Sequence, residues 1–96
     1  MTIKIRQIAN HYGLNHQLMK MVEELNELAL ECAKSWDKKS ITVNLISELA
    51  DVEVMLEQIK YLAGIEQSDI DEVKEFKINR QLKRIVEELE DAKEEA

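Results

Sequence analysis

Two pairs of carboxylates are the residues most able to do chemistry. In Glu23-Glu24-Leu25-Asn26-Glu27, Glu24 and Glu27 stand three residues apart, which on a helix makes them neighbours on one face. Glu48-Leu49-Ala50-Asp51 repeats the spacing about twenty residues later. If the two segments are antiparallel neighbouring helices, the four acids converge. Like charges so close would raise some of their pKa values or destabilise the fold unless a counter-ion joined them. Hard oxygen donors of this kind suit magnesium, with manganese as a substitute. Magnesium keeps several waters and is usually held by a few carboxylates together with substrate phosphates. Glu24, Glu27, Glu48 and Asp51 are the expected ligands.

The competing account is that these acids simply cover the wet side of amphipathic helices. The helical wheel separates the two. At about 100° per residue, Glu48 falls inside the apolar arc of its segment, between the directions of Met55 and Ile59. A solvated face does not explain that position. Asp51 lies about 60° away at the margin of the arc, and Glu24 borders Leu28 in the same manner. Glu53 and Glu57 show no such anomaly and read as surface. Glu23 and Glu31 read as surface or as neighbours of the site.

The elements that would carry these residues are helices. The chain has no Pro, and its two glycines, Gly13 and Gly64, fall between periodic stretches. Four helices are expected, giving an all-α fold in a single domain, 1–96. The first runs from about Ile3 to His11 and closes near Gly13 in a left-handed conformation. The second spans about Asn15 to Lys34, with Leu18, Met21, Val22, Leu25, Leu28, Ala29 and Cys32 as its apolar side. A polar connection, Ser35 to Ser40, follows, and Ser40 or Thr42 is placed to cap the third helix. That helix ends at about Ala63, with Leu45, Leu49, Val52, Leu56, Ile59 and Ala63 forming its stripe. Ser68 or Asp69 starts the fourth, where Asp71 and Glu72 complement the helix dipole. Its expected apolar contacts are Val73, Phe76, Ile78, Leu82, Ile85, Val86 and Leu89, and the acidic stretch from Glu87 to Ala96 is expected to fray.

Composition narrows the function classes. The net charge of −7 argues against unselective binding to nucleic acid, which needs basic surface. No apolar run has the length that secretion or membrane insertion needs, so a cytoplasmic setting without membrane attachment is expected. The lone Cys32 is expected to pack as a small hydrophobe. A chain of 96 residues has a thin core of its own, which favours self-assembly.

The ordered pair of acid motifs resembles the MazG-like family of all-α nucleoside triphosphate pyrophosphohydrolases, over roughly residues 10 to 85. Lys20, upstream in Leu18-Met19-Lys20-Met21-Val22, fits the same context. The resemblance implies a four-helix bundle that assembles as a homodimer or homotetramer and binds magnesium through Glu24, Glu27, Glu48 and Asp51. It also implies cleavage of a nucleoside triphosphate between its α and β phosphates. Glu23 or Glu27 would activate the water. Lys77, Asn79 and Arg80 resemble the family's basic element, in a compressed spacing. Lys77 and Arg80 fall on a stripe of Lys74, Lys77, Arg80 or Gln81, and Arg84 along one side of the fourth helix, which would otherwise serve surface ion pairs with Glu75, Glu87 and Glu88.

Further substrate contacts are expected from Lys20, from Trp36 in the connection between the acid-bearing helices, and from Asn44, one turn before Glu48. Tyr12, His11 and His16 are able to stack on a base but equally suit structural roles, and Lys38 and Lys39 are within reach of phosphates. Two alternatives stand beside this reading. One is a phosphoribosyl-ATP pyrophosphohydrolase-like enzyme; the other is a non-enzymatic helical regulatory protein, which has no use for an acid within an apolar stripe. A di-iron carboxylate site is disfavoured because its Glu-x-x-His pairs are missing.

Overall fold

A computed structural model describes residues 2–95. Four helices follow in order: α1 (Thr2–Tyr12), α2 (Leu14–Lys38), α3 (Val43–Ala63) and α4 (Gln67–Glu95). No strand occurs among the described residues, so the chain is all-α as expected. By contacts it divides into two compact units, one reaching to Gly64 and one from Ile65 onward.

Gly13 joins α1 to α2 through a single residue. Its N–H donates to Ala9 O at 2.8 Å and its carbonyl accepts from Gln17 N–H at 3.1 Å, so it closes one helix and opens the next. Its φ of 83° is positive as expected, but ψ is 168°, an extended rather than a left-handed helical conformation that only glycine adopts readily. α3 does end as read, on Gly64 at φ 66°, ψ 31°.

The connection after α2 is shorter than the polar sequence suggested. The helix runs on through Ser35 and Trp36 to Lys38, because Lys39 takes the left-handed conformation usually filled by glycine. Lys39 N–H then donates to Trp36 O and Ser40 N–H to Ser35 O, which satisfies two terminal carbonyls in a Schellman arrangement. Thr42 is the N-cap residue of α3, as one of the two candidates, yet its hydroxyl makes no capping bond. It donates to Glu31 Oε2 at 3.0 Å instead, while Thr42 N–H donates to Ser35 Oγ at 3.2 Å.

Within the first unit both α1 and α2 pack on α3. α1 buries Ile5 and Ala9, and its outer side is tied down by Tyr61 Oη donating to Asn10 Oδ1 at 2.9 Å and by the Arg6 guanidinium over the Tyr61 ring. α2 and α3 run antiparallel. Gln17 of α2 bonds Gln58 of α3, and Glu31 farther along α2 bonds Thr42 at the start of α3, so progress along one helix is matched by retreat along the other.

The buried face of α2 is the expected one only in part: Met21 and Leu28 lie in it, half-buried. Its seam alternates steps of four and three through Gln17, Met21, Glu24, Leu28, Glu31 and Ser35, the spacing of a coiled-coil contact line. A polar residue, Gln17, Glu24 or Glu31, occupies every seventh position of it. The apolar arc one residue around the helix, with Leu18, Val22, Leu25 and Cys32, is exposed. On α3, Val52, Met55 and Gln58 are buried and Glu48 half-buried, whereas Leu49 and Leu56 are exposed. Hydrophobicity identified the larger apolar arc, but the seam is held by hydrogen bonds among polar groups as well as by Val52 and Met55.

In the second unit, α4 continues in helical form through Glu95, past the point where fraying was expected. None of its described residues is buried, and Val73, Phe76, Ile78, Leu82, Ile85, Val86 and Leu89, expected as apolar contacts, are all exposed.

Candidate metal centre

The antiparallel register brings the two acid pairs face to face. One carboxylate oxygen from each of Glu24, Glu27, Glu48 and Asp51 lies within 4.8 Å of the other three. Glu24 is buried and Glu48 half-buried, while Glu27 and Asp51 are exposed, so the cluster has a sheltered floor and an open rim.

The floor is electrostatically unsatisfied. Glu24 Oε2 and Glu48 Oε2 are both buried without a hydrogen-bond partner. Such atoms lose their hydration without replacement, a cost native folds rarely leave standing. The other oxygen of Glu24 meets Lys20 Nζ at 3.4 Å. Desolvation pushes the Glu24 carboxyl above the ordinary carboxylate range, and Glu27 and Asp51 push it further, against the opposing pull of Lys20. Glu48 is raised in the same way, first by desolvation, then by the charge of Glu27 and a hydrogen bond with it, and then by Asp51 and Glu24. Lys20 is itself raised by its bonds to Glu23 and Glu24.

A hard divalent cation fits this donor set. It would partner both orphaned oxygens and reverse the sign of the local field, which one half-exposed lysine does only in part.

The other expected residues fall in different places. Glu23 is exposed on the rim, bonded to Lys20 at 3.4 Å, and both line a cavity of about 570 Å³ that also touches Glu24 and Asp51. Trp36 is not in a loop: it sits in the last turn of α2, 81% exposed, about 13 Å along the helix from Glu27. Asn44 lines a separate cleft of about 390 Å³ together with Glu31, Lys34, Lys38 and Thr42, and so does not border the cavity beside the acids. Lys77, Asn79 and Arg80 are exposed on α4, where the Arg80 guanidinium lies over the Phe76 ring. Of the aromatic candidates, Tyr12 and His16 line the large cavity, with their rings stacked at 4.6 Å, and His11 meets Tyr12 edge to face.

Gln17 and Gln58 were missed. Both are buried at the cavity, and Gln17 Nε2 donates to Gln58 Oε1 at 2.7 Å. The signal was present in the spacing. Gln17 precedes Glu24 by seven residues and Gln58 follows Asp51 by seven, which places each on the same line of its helix as an acid of the cluster, two turns away.

Comparisons with protein-family models, with curated proteins and with solved structures found no match in any of the three. No helix of the described residues is long and apolar enough to cross a membrane.

Proposed function

We propose that the chain is a magnesium-dependent nucleoside triphosphate pyrophosphohydrolase of the MazG-like kind, cleaving between the α and β phosphates to give a nucleoside monophosphate and pyrophosphate. The observation that carries this reading is the convergence of four carboxylates from consecutive helices around two buried oxygens that have no partner. A helical protein that binds no cation gains nothing from such an arrangement and bears its cost.

Glu24 and Glu48 are the sheltered ligands, and Glu27 and Asp51 complete the site at the rim where a triphosphate would approach. Bound there, magnesium would offset the repulsion among the acids, polarise the phosphates and lower the pKa of a coordinated water. Glu27, inside the cluster, is the favoured group to orient that water and take its proton, while Glu23 serves to hold Lys20 at the cavity edge. As the water oxygen bonds to phosphorus, the bridging bond between the α and β phosphates breaks and pyrophosphate leaves. Lys20 is placed to meet phosphate oxygens as a point charge. Manganese is the substitute ion.

The exposed apolar arc of Leu18, Val22 and Leu25 on α2, with Leu49 and Leu56 on α3, supports assembly into a homodimer or homotetramer, in which a bundle would be completed. The same surface would serve a non-enzymatic interaction protein, the second reading. Incubation with a panel of ribo- and deoxyribonucleoside triphosphates separates the two. Magnesium-dependent turnover of at least one, lost in Asp51→Asn, is expected; inertness toward all of them with either magnesium or manganese favours the interaction protein.

A further inference from the structure

We infer that the cavity beside the acid cluster receives the nucleoside end of the substrate, with the buried Gln17–Gln58 carboxamide pair hydrogen-bonding the base edge. This rests on the reading of the cluster as a metal-triphosphate site.

The cavity, about 570 Å³, is of the size that holds small organic ligands, and it is continuous with the metal centre because Glu24 and Asp51 form part of its wall. The rest of the wall changes character away from the acids. Ile8, Val54 and Met55 give apolar surface, and Tyr12 and His16 add stacked rings. Among the described residues, Lys20, beside the acids, is the one lysine or arginine that lines it, so the far end suits an uncharged, flat group rather than another phosphate.

The two glutamines are the buried polar groups of that far end, 3% and 2% exposed, beside the more exposed Tyr12 and His16. His16 Nδ1 lies 2.7 Å from Gln17 Oε1, and Gln17 Nε2 donates to Gln58 Oε1 at 2.7 Å, which fixes both amides in one direction. A carboxamide has two N–H donors and two acceptor lone pairs. Gln17 therefore keeps a second N–H and Gln58 a second carbonyl lone pair, side by side. Gln58 Nε2 donates to Val54 O at 3.5 Å, the long limit of an N–H···O bond, and to Met55 Sδ at 3.5 Å, an ordinary distance to the larger but weakly accepting sulfur. An adjacent donor and acceptor complement the edge of a nucleobase, which also presents the two together. The glutamines stand two helical turns from the acids, about 10 Å along each helix, a span that fits the reach from an α phosphate to the far edge of its base.

The test compares, with magnesium present, the binding of α,β-imido analogues of the four common ribonucleoside triphosphates with that of inorganic tripolyphosphate, which has no nucleoside. The intact protein should bind at least one nucleotide tenfold or more tightly than tripolyphosphate. Gln58→Met and Gln17→Leu should each remove most of that advantage while leaving the affinity for tripolyphosphate within about twofold. Using both variants guards against one that does not fold, as judged by circular dichroism and melting. An unchanged ratio in both folded variants, or no preference for any nucleotide over tripolyphosphate in the intact protein, overturns the assignment of the cavity. Failure of every nucleotide and of tripolyphosphate to bind with magnesium overturns the metal-triphosphate reading and this inference with it.

Discussion

Replacing Glu48 by Gln separates a metal ligand from a structural acid. Glu48 faces three other carboxylates, and its buried Oε2 has no partner, so in the metal-free protein its charge opposes the fold. Glu48→Gln keeps the shape, removes the charge and gives the neighbouring Glu27 an amide donor. The metal-free variant should therefore melt above the metal-free parent. Magnesium should reverse the order. At a hundredfold excess over its dissociation constant, a ligand that binds only the folded state adds ~2.7 kcal/mol. For a domain of this size that raises Tm by about 10–20 °C. If loss of one ligand weakens binding a hundredfold, the same magnesium concentration adds only ~0.4 kcal/mol to the variant, a rise of about 2–3 °C. Differential scanning calorimetry with and without magnesium reads both effects, with sodium chloride matched for ionic strength to remove simple screening. A variant that melts lower than the parent without metal, and that responds to magnesium as the parent does, would refute the reasoning and make Glu48 a structural partner.

Two other outcomes follow from the same electrostatics and packing. Because Glu24 and Glu48 are raised above the ordinary carboxylate range, the stability they contribute is fully present below that range and is lost as pH rises through their raised values. Metal-free protein should thus gain stability from this pair as pH falls from neutral toward the ordinary range, while the magnesium-induced rise in Tm shrinks; a parent minus Glu48→Gln difference that does not vary with pH contradicts this. Thr42→Val removes the hydroxyl that satisfies Glu31 and should cost about 1–3 kcal/mol in chemical denaturation. It should leave the magnesium response intact, since Glu31 is not among the four converging acids and lies one turn beyond Glu27 along α2; a lost response would mean that Glu31 and the cluster act as one unit.

Much of the site could be read before the fold was known, for reasons specific to each residue. Glu48 announced itself by lying in an apolar arc, and its half-buried, unpartnered oxygen is the physical counterpart of that anomaly. Glu24, Glu27 and Asp51 followed from i, i+3 geometry once the two helices were taken as antiparallel. The buried face of α2 was harder. Periodicity weighs apolar residues and so selected Leu18, Val22 and Leu25 beside Met21 and Leu28, whereas the contact with α3 also runs through Gln17, Glu24 and Glu31, of which Gln17 and Glu31 are partnered by Gln58 and Thr42. Trp36 was misplaced for a local reason: Ser35 and Asp37 look like loop residues, but a lysine in the left-handed conformation carries the helix to Lys38. Asn44 shares a helix with Glu48 and still borders a different cleft, since one turn along α3 moves it toward Glu31 and Thr42.

Phosphorus NMR of a reaction with magnesium tests the central claim most directly, because it identifies the bond that breaks. The acid cluster as interpreted predicts a nucleoside monophosphate and pyrophosphate appearing together in equal amounts, with neither formed by Asp51→Asn. Formation of nucleoside diphosphate and orthophosphate, or no reaction with any nucleotide of the panel, would contradict it.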